Sequence, residues 1–322
     1  MKTTLKLTKL LLALMLVISA GTMYTGCTKE GPTGPQGPAG PQGPAGQDGQ
    51  DGQDGKDGKD ATLVSAADSA AFTAADGVTG ARLYDHVLNE IELNDTALTN
   101  HSDFYRCKSC HGWDLLGRSG VLIDKVPTAS YPAAADVNLY RWAQEHNIRE
   151  VFDAVKNNSG RNKSLTISYN STMPNFGNLL TDTQIWDLVK FLKETAHNVN
   201  EFYDLTTIGM YPTGTKIFSD IGKGGDPVNG KTVYDANCAS CHGSDGTNIN
   251  IYCKGEYLGD MFRDDPHEIQ HKAVWGMPND REHIDAGCSD AGMMPAQNIT
   301  DQDIRDMMVM GQDPVAFPGF SK

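Results

Sequence analysis

The pattern Cys-x-x-Cys-His occurs twice in the chain, at residues 107–111 and again at residues 238–242. It is the attachment pattern of haem c, in which both thiols bond to one porphyrin and the histidine coordinates the iron. A disulfide, half of a zinc site or a thioredoxin-like redox pair would also fit a single copy. Two copies, each followed by glycine, favour haem and predict two haem c groups per chain. The predicted attachment cysteines and proximal iron ligands are Cys107, Cys110, His111, Cys238, Cys241 and His242.

The start of the chain has the composition of a secretory signal. Lys2, Lys6 and Lys9 give it a positive charge, and residues 10–20 form an unbroken run of apolar or small residues. That run is too short to span a bilayer as a helix. We therefore expect residues 1–26 to be a signal peptide and the protein to be exported.

Cys27 follows small residues in a way that resembles a bacterial lipobox, although Tyr24 stands where such boxes usually carry leucine. The alternative is an ordinary signal peptide that leaves Cys27 as a free thiol. Four of the seven cysteines belong to the haem motifs, and Cys253 and Cys288 can form a disulfide in an oxidising compartment, so Cys27 is the odd one. We expect lipidation of Cys27 and a lipoprotein at the outer membrane or cell surface, facing the periplasm or the exterior.

Glycine then falls at every third position from Gly31 to Gly58, with proline after each of the first five glycines. Strict Gly-X-Y periodicity allows three polyproline-II chains to pack around a common axis. Residues 31–60 are therefore predicted to be a collagen-like stalk. They form either a homotrimer or a monomeric, semi-rigid polyproline-II spacer. At about 3.1 Å per residue, either form would hold the rest of the chain roughly 90 Å from its anchor.

A second repeat precedes the haem motifs: G-x-x-[LV]-Y-D occurs at residues 80–85 and at residues 230–235. Because each copy is followed by Cys-x-x-Cys-His, the chain contains an internal duplication of one module. The first copy carries an insertion of unknown shape at residues 89–106. The predicted organisation is a linker at 61–79, a first domain at 80–200, an interdomain linker at 201–228 and a second domain at 229–322.

Each module resembles a class I cytochrome c domain, in which an N-terminal helix, the haem motif, a methionine-bearing loop and a C-terminal helix follow in order. In the first module, Met173 precedes Thr181 and an apolar stripe with helical spacing. In the second, Met294 precedes Thr300 and a similar, shorter stripe. The resemblance implies a mainly α fold, with two tandem cytochrome c-like helical domains after the stalk.

The same resemblance implies that a methionine is the second axial ligand of each iron. Met173 is the only methionine between His111 and the predicted C-terminal helix of the first domain, although core packing is the commoner use of methionine. Met294 fits best in the second domain. Its rivals there are Met293, Met277, His271 and His267. The disulfide between Cys253 and Cys288 would close a loop of about 35 residues and stabilise the second domain by about 3–4 kcal/mol, unless both remain separate buried thiols.

The formal net charge of −14 disfavours a nucleic-acid partner and fits basic redox partners, or simply solubility. We expect a dihaem electron carrier that exchanges electrons with other redox proteins or extracellular acceptors, and not an enzyme. One alternative is a dihaem oxidoreductase that reduces peroxide or oxidises sulfur compounds at a labile ligand position of the second haem. The other is a subunit of a trimeric or filamentous redox assembly at the cell surface.

Overall fold

The computed structural model describes residues 63–93, 95–99, 101–128, 131–156, 173–251, 255–277 and 294–320. All of them belong to one compact unit, residues 57–322. The signal segment, the collagen-like stalk, Cys27, Cys253, Cys288 and Met293 lie outside the described residues. Among the helices that are described, none has the length and apolar character needed to cross a bilayer.

The fold is mainly α, as the sequence predicts. The first domain contains Ala66–Ala74 (α1), Gly77–Glu90 (α2), Thr96–Thr99 (α3), Cys107–His111 (α4), Leu139–Glu145 (α5), Ile148–Lys156 (α6) and Asp182–Lys190 (α7). A π-helical turn, Phe191–Thr195, continues α7. Short 3-10 turns cover Ser102–Tyr105, Gly117–Ser119, Phe176–Asn178 and Val199–Glu201.

A β-hairpin joins the two domains, with strands Asp204–Ile208 (β1) and Thr215–Ser219 (β2). The second domain contains Pro227–Asn237 (α8), Ala239–His242 (α9), Leu258–Asp264 (α10), Pro266–Trp275 (α11) and Asp301–Met310 (α12). The predicted start signals of both C-terminal helices are confirmed. Thr181 and Gln184 form a capping box at α7, and Thr300 and Asp303 form one at α12.

In each domain, the N-terminal and C-terminal helices cross at the glycine of the G-x-x-[LV]-Y-D repeat. A Cβ atom at Gly80 would lie 2.0 Å from the carbonyl oxygen of Asp187, and one at Gly230 would lie 2.1 Å from that of Asp306. Any larger residue would force the paired helices apart. The repeat therefore carries glycine because the backbones of α2 and α7, and of α8 and α12, touch there.

The same helix pairs are joined a second time at their ends. The backbone N–H of Asp76, which caps α2, donates to Asp187 Oδ1 at 2.8 Å. The backbone N–H of Asp226, which caps α8, donates to Asp306 Oδ1 at 2.7 Å. The duplication in the sequence is therefore also a duplication of hydrogen bonds and helix contacts.

The segment expected to be a linker at residues 61–79 instead contains α1 and the first turn of α2. Ser65 caps α1 in a reciprocal box with Asp68, and Phe72 packs against the core of the first domain. The Nζ of Lys190 lies 4.6 Å from the centre of the Phe72 ring. The composition of α1 is polar and rich in alanine, so it does not predict a packed helix. Only Phe72 and a few alanines contact the core of the first domain.

The interdomain segment is also regular secondary structure, and alternate side chains of the hairpin are half-buried. Leu205 and Phe218 are cross-strand partners that pack against residues of both domains. Contact between the domains continues through α11. Trp275, at its end, packs into the core of the first domain with its ring 5.0 Å from that of Phe191. The two domains thus pack against each other through the hairpin and α11.

Candidate haem sites

The first haem motif is itself a short helix, α4, which begins at Cys107 and ends at His111. Cys110 and His111 lie three and four residues after Cys107, so all three side chains share one face of the helix. Gly112 ends it with a φ of +74°, which glycine adopts without strain. The hydroxyl of Tyr84 donates a hydrogen bond of 2.6 Å to the Gly112 carbonyl and ties α4 to α2.

A cavity of about 220 Å³ lies beside this helix, lined by Cys107, His111 and Met173. Most of the remaining wall is apolar: Val137, Leu139, Trp142, Val155, Leu188 and Leu192. The structure therefore brings the predicted proximal histidine and the predicted distal methionine of the first domain to the same space. A thiol, an imidazole, a thioether and an apolar wall are the groups that hold haem c, so the residues present fit this cofactor.

Burial sets the protonation of these groups. Desolvation lowers the pKa of His111 to about 4, so the imidazole is neutral at pH 7, the form that coordinates iron. Desolvation raises the pKa of the Cys107 and Cys110 thiols to about 12. All four motif cysteines are free thiols in the structure, and neither pair is joined as a disulfide.

Buried charge surrounds the start of α4. Asp85 is only 1% exposed, and its Oδ1 forms ion pairs with Arg106 Nη2 and Lys108 Nζ, each at 3.0 Å. Burial alone would raise the pKa of Asp85, but the charges of Lys108 and Arg106 hold it well below its usual value. The opposite balance applies to Lys108, whose pKa falls to about 8, chiefly through burial. Sequence reasoning missed this network, although Asp85 is the last residue of the repeat.

A second buried carboxylate, Asp114, also escaped sequence analysis. It accepts hydrogen bonds from the backbone N–H groups of Leu116 (3.1 Å) and Val121 (2.7 Å), and so fixes the loop after the first haem motif. Burial raises its pKa to about 6 against the lowering effect of these bonds. A lone aspartate after glycine and tryptophan carries no signal that could have identified it.

The second haem motif repeats the geometry of the first. Cys238 precedes α9, and Gly243 ends that helix with a φ of +82°. The hydroxyl of Tyr234 donates a 2.6 Å hydrogen bond to the Gly243 carbonyl, as Tyr84 does to Gly112. Burial lowers the pKa of His242, which favours the neutral imidazole here too. Tyrosine recurs in the repeat because its hydroxyl holds the end of the haem-motif helix.

Two candidate distal ligands of the second domain lie side by side. Met277 and Met294 form an isolated antiparallel bridge, in which the Met277 N–H donates to the Met294 carbonyl at 2.8 Å. Residues directly opposite in such a pair extend their side chains on the same face. The bridge therefore places two thioethers together, and the choice of Met294 stays a prediction.

The rival histidines lie on α11 and are buried in other contacts. The ring of His267 stacks on Phe218 of the hairpin at 5.6 Å, and the ring of His271 lies against Trp113 of the first domain. Both imidazoles therefore pack on elements outside the second domain. Ring packing does not occupy the ring nitrogens, so the choice of Met294 over these histidines stays a prediction.

The zinc alternative needs at least three suitable side chains close together. Within the ranges that the structure describes, which include both haem motifs, no group of three or more His, Cys, Asp or Glu residues is placed to hold a metal ion.

Comparison with known proteins agrees with this geometry. The family model described as Cytochrome c matches residues 98–196 and 227–309, more than half of the chain. No curated protein and no solved structure matched the chain. The two matched segments contain the two Cys-x-x-Cys-His motifs and both C-terminal helices. The chain therefore belongs to the cytochrome c family, whose members bind haem c covalently and transfer electrons.

Proposed function

We propose that this chain is a dihaem electron carrier of the cell envelope, with one haem c in each domain. The observation that carries the proposal is the first cavity, where His111 and Met173 both line the space beside Cys107. An imidazole and a thioether on opposite sides of the iron would leave it without an exchangeable position. When bound, the haem supplies a one-electron iron couple, and the protein supplies its ligands and its surroundings.

The residues around the cavity suit electron transfer better than a reaction on substrate. A thioether is soft and uncharged, so it favours ferrous iron and raises the potential relative to a second imidazole. Apart from the predicted haem-binding residues, the polar groups of the described lining are the indole N–H of Trp142 and the hydroxyl of Tyr84, which is committed to Gly112. This wall offers no acid–base pair for cleaving a bond in peroxide or in a sulfur compound.

Carbon monoxide binding to the fully reduced holoprotein tests this proposal. CO needs a vacant or easily displaced position on ferrous iron. We expect two haems per chain by haem assay and no change in the optical spectrum under CO, because both irons keep their protein ligands. CO binding at about half of the haem would instead mark one labile iron and would support the oxidoreductase alternative.

The location of the carrier is proposed from the sequence. A lipid on Cys27 would anchor the chain to a membrane, with the Gly-X-Y segment at residues 31–60 as a stalk between the anchor and the haem domains. Redox proteins or extracellular acceptors would then reach the haem domains away from the membrane surface. Three chains joined through their stalks would present six haems together.

Sedimentation of the exported domains with and without residues 31–60 tests the trimer. If the stalk trimerises, the intact form should have about three times the mass of the deleted form, and heating should dissociate it without loss of haem. An unchanged monomer mass on deletion would contradict the trimer and leave the monomeric spacer as the role of the segment.

A further inference from the structure

The two haem motifs have the same pattern but differ in exposure at their third and fourth positions. Ser109, the third residue of the first motif, is 1% exposed, whereas Ser240 at the same position of the second motif is exposed. Cys241 is exposed as well, and its counterpart Cys110 is half-buried. The two cysteines of each motif would hold one edge of its haem, so these positions would show whether that edge meets solvent.

The first motif is covered from two directions. The segment after residue 130 lies over it, since the Ala135 N–H donates to the Cys110 carbonyl at 2.7 Å and the Tyr131 hydroxyl interacts with Ser109. The second cover is α11, whose His271 lies against Trp113, two residues after His111.

Charges on α11 reach the same place. The Nζ of Lys108, inside the first motif, lies 4.2 Å from the centre of the Trp113 ring. Of the charges on α11, Glu268 raises the pKa of Lys108 and Lys272 lowers it. His271 and Lys272 both lower the pKa of Asp85. The first haem motif is thus covered by a helix that the second domain contributes, and this helix would close the attached edge of the first haem.

The same helix continues to the second haem site. His271 and Trp275 of α11 are in edge-to-face contact at 4.6 Å. Two residues after Trp275 comes Met277, which is bridged to Met294, the predicted distal ligand. The helix α11 therefore lies between the covered edge of one site and the ligand segment of the other.

We propose that electrons enter and leave this chain through the second haem, at the exposed edge marked by Ser240 and Cys241, and reach the first haem across α11. The inference rests on the proposed electron-carrier function and adds which haem the partner meets. The partner is a one-electron redox protein that places its own cofactor edge against Ser240. One electron passes between partner and chain, with no proton or group transferred.

Charge substitutions at Ser240 test the inference on the full-length holoprotein, with ferricyanide, a trivalent anion, as the oxidant. Ser240→Glu should slow oxidation of the reduced protein on the order of five- to tenfold at low salt, and Ser240→Lys should accelerate it by a similar factor. Added salt should reduce both effects. The matched controls are Thr206→Glu and Thr206→Lys, at an exposed position of β1 outside both sites, which should oxidise at the wild-type rate.

A redox titration of the same variants supplies the second readout. Ser240→Glu should lower, and Ser240→Lys should raise, one of the two haem potentials and leave the other unchanged, because a nearby negative charge favours ferric iron. Wild-type oxidation rates in both Ser240 variants would overturn the inference, whether or not a potential shifts. That result differs from failure of the electron-carrier function, which CO binding by the wild-type protein would reveal.

Discussion

Replacing Asp85 with asparagine should destabilise the folded holoprotein by about 3–5 kcal/mol at neutral pH. The carboxylate is buried and pairs with Arg106 and Lys108, both at 3.0 Å. Asparagine keeps the shape but removes the charge, and leaves two partly buried cations without their main counter-ion. Denaturant unfolding followed by circular dichroism should show the loss as a lower midpoint.

The duplication provides a matched control for this experiment. Asp235 holds the same position in the second repeat, but it pairs with Lys231 on an exposed helix face. Asp235→Asn should therefore cost less than about 0.5 kcal/mol. Equal midpoints for the two variants would contradict a stabilising role for the buried network.

The pH dependence of the Asp85 effect follows from the sign of its pKa shift. The folded-state pKa of Asp85 is depressed, so its stabilisation is complete above the unfolded value of about 3.9 and is lost as the pH falls toward the folded value. The difference between wild type and Asp85→Asn should accordingly be constant from pH 5 to 7 and shrink below about pH 4.

Replacing Met173 with alanine should open the first site. The thioether lines the cavity that contains His111, and alanine is too short to reach an iron held between them. We expect CO to bind about half of the reduced haem and one of the two potentials to fall on the order of 0.2 V, a part of the roughly 0.8 V range that axial ligands span. Optical titration under CO and spectroelectrochemistry measure the two effects.

Two further variants make this result decisive. Met173→His should lower the same potential without admitting CO, because imidazole replaces the thioether and keeps the position filled. Met210→Ala, at a methionine that is 82% exposed, should leave both properties unchanged. An unaltered potential and no CO binding in Met173→Ala would show that another residue is the ligand.

Much of the fold was readable from the sequence because its signals are local. Thr181 with Gln184 and Thr300 with Asp303 mark helix starts through contacts between residues three positions apart. The glycine and tyrosine of the repeat could be recognised as important before their contacts were known. What the repeat could not show was that each glycine touches a backbone more than 70 residues away.

Features that depend on distant partners were not predictable. The helix α1 carries little apolar surface, so its composition is that of a linker until α7 is beside it. The residues His271 and Trp275 fit the core of their own domain equally well in sequence, and only the packed structure shows that they bind the first domain. His271 therefore remained a rival ligand of the second haem in the sequence analysis.

The position of Trp275 has a consequence for how the protein is assembled. A chain synthesised only as far as residue 200 lacks α11, the helix that covers Phe191 and Trp113. Apolar surface of its first domain therefore remains exposed to solvent. The free energy from burying that surface becomes available only when the second domain is present. The sequence divides into two haem domains, but the first needs the second to bury its apolar surface. Truncation between them would therefore yield an incompletely folded protein rather than a smaller cytochrome.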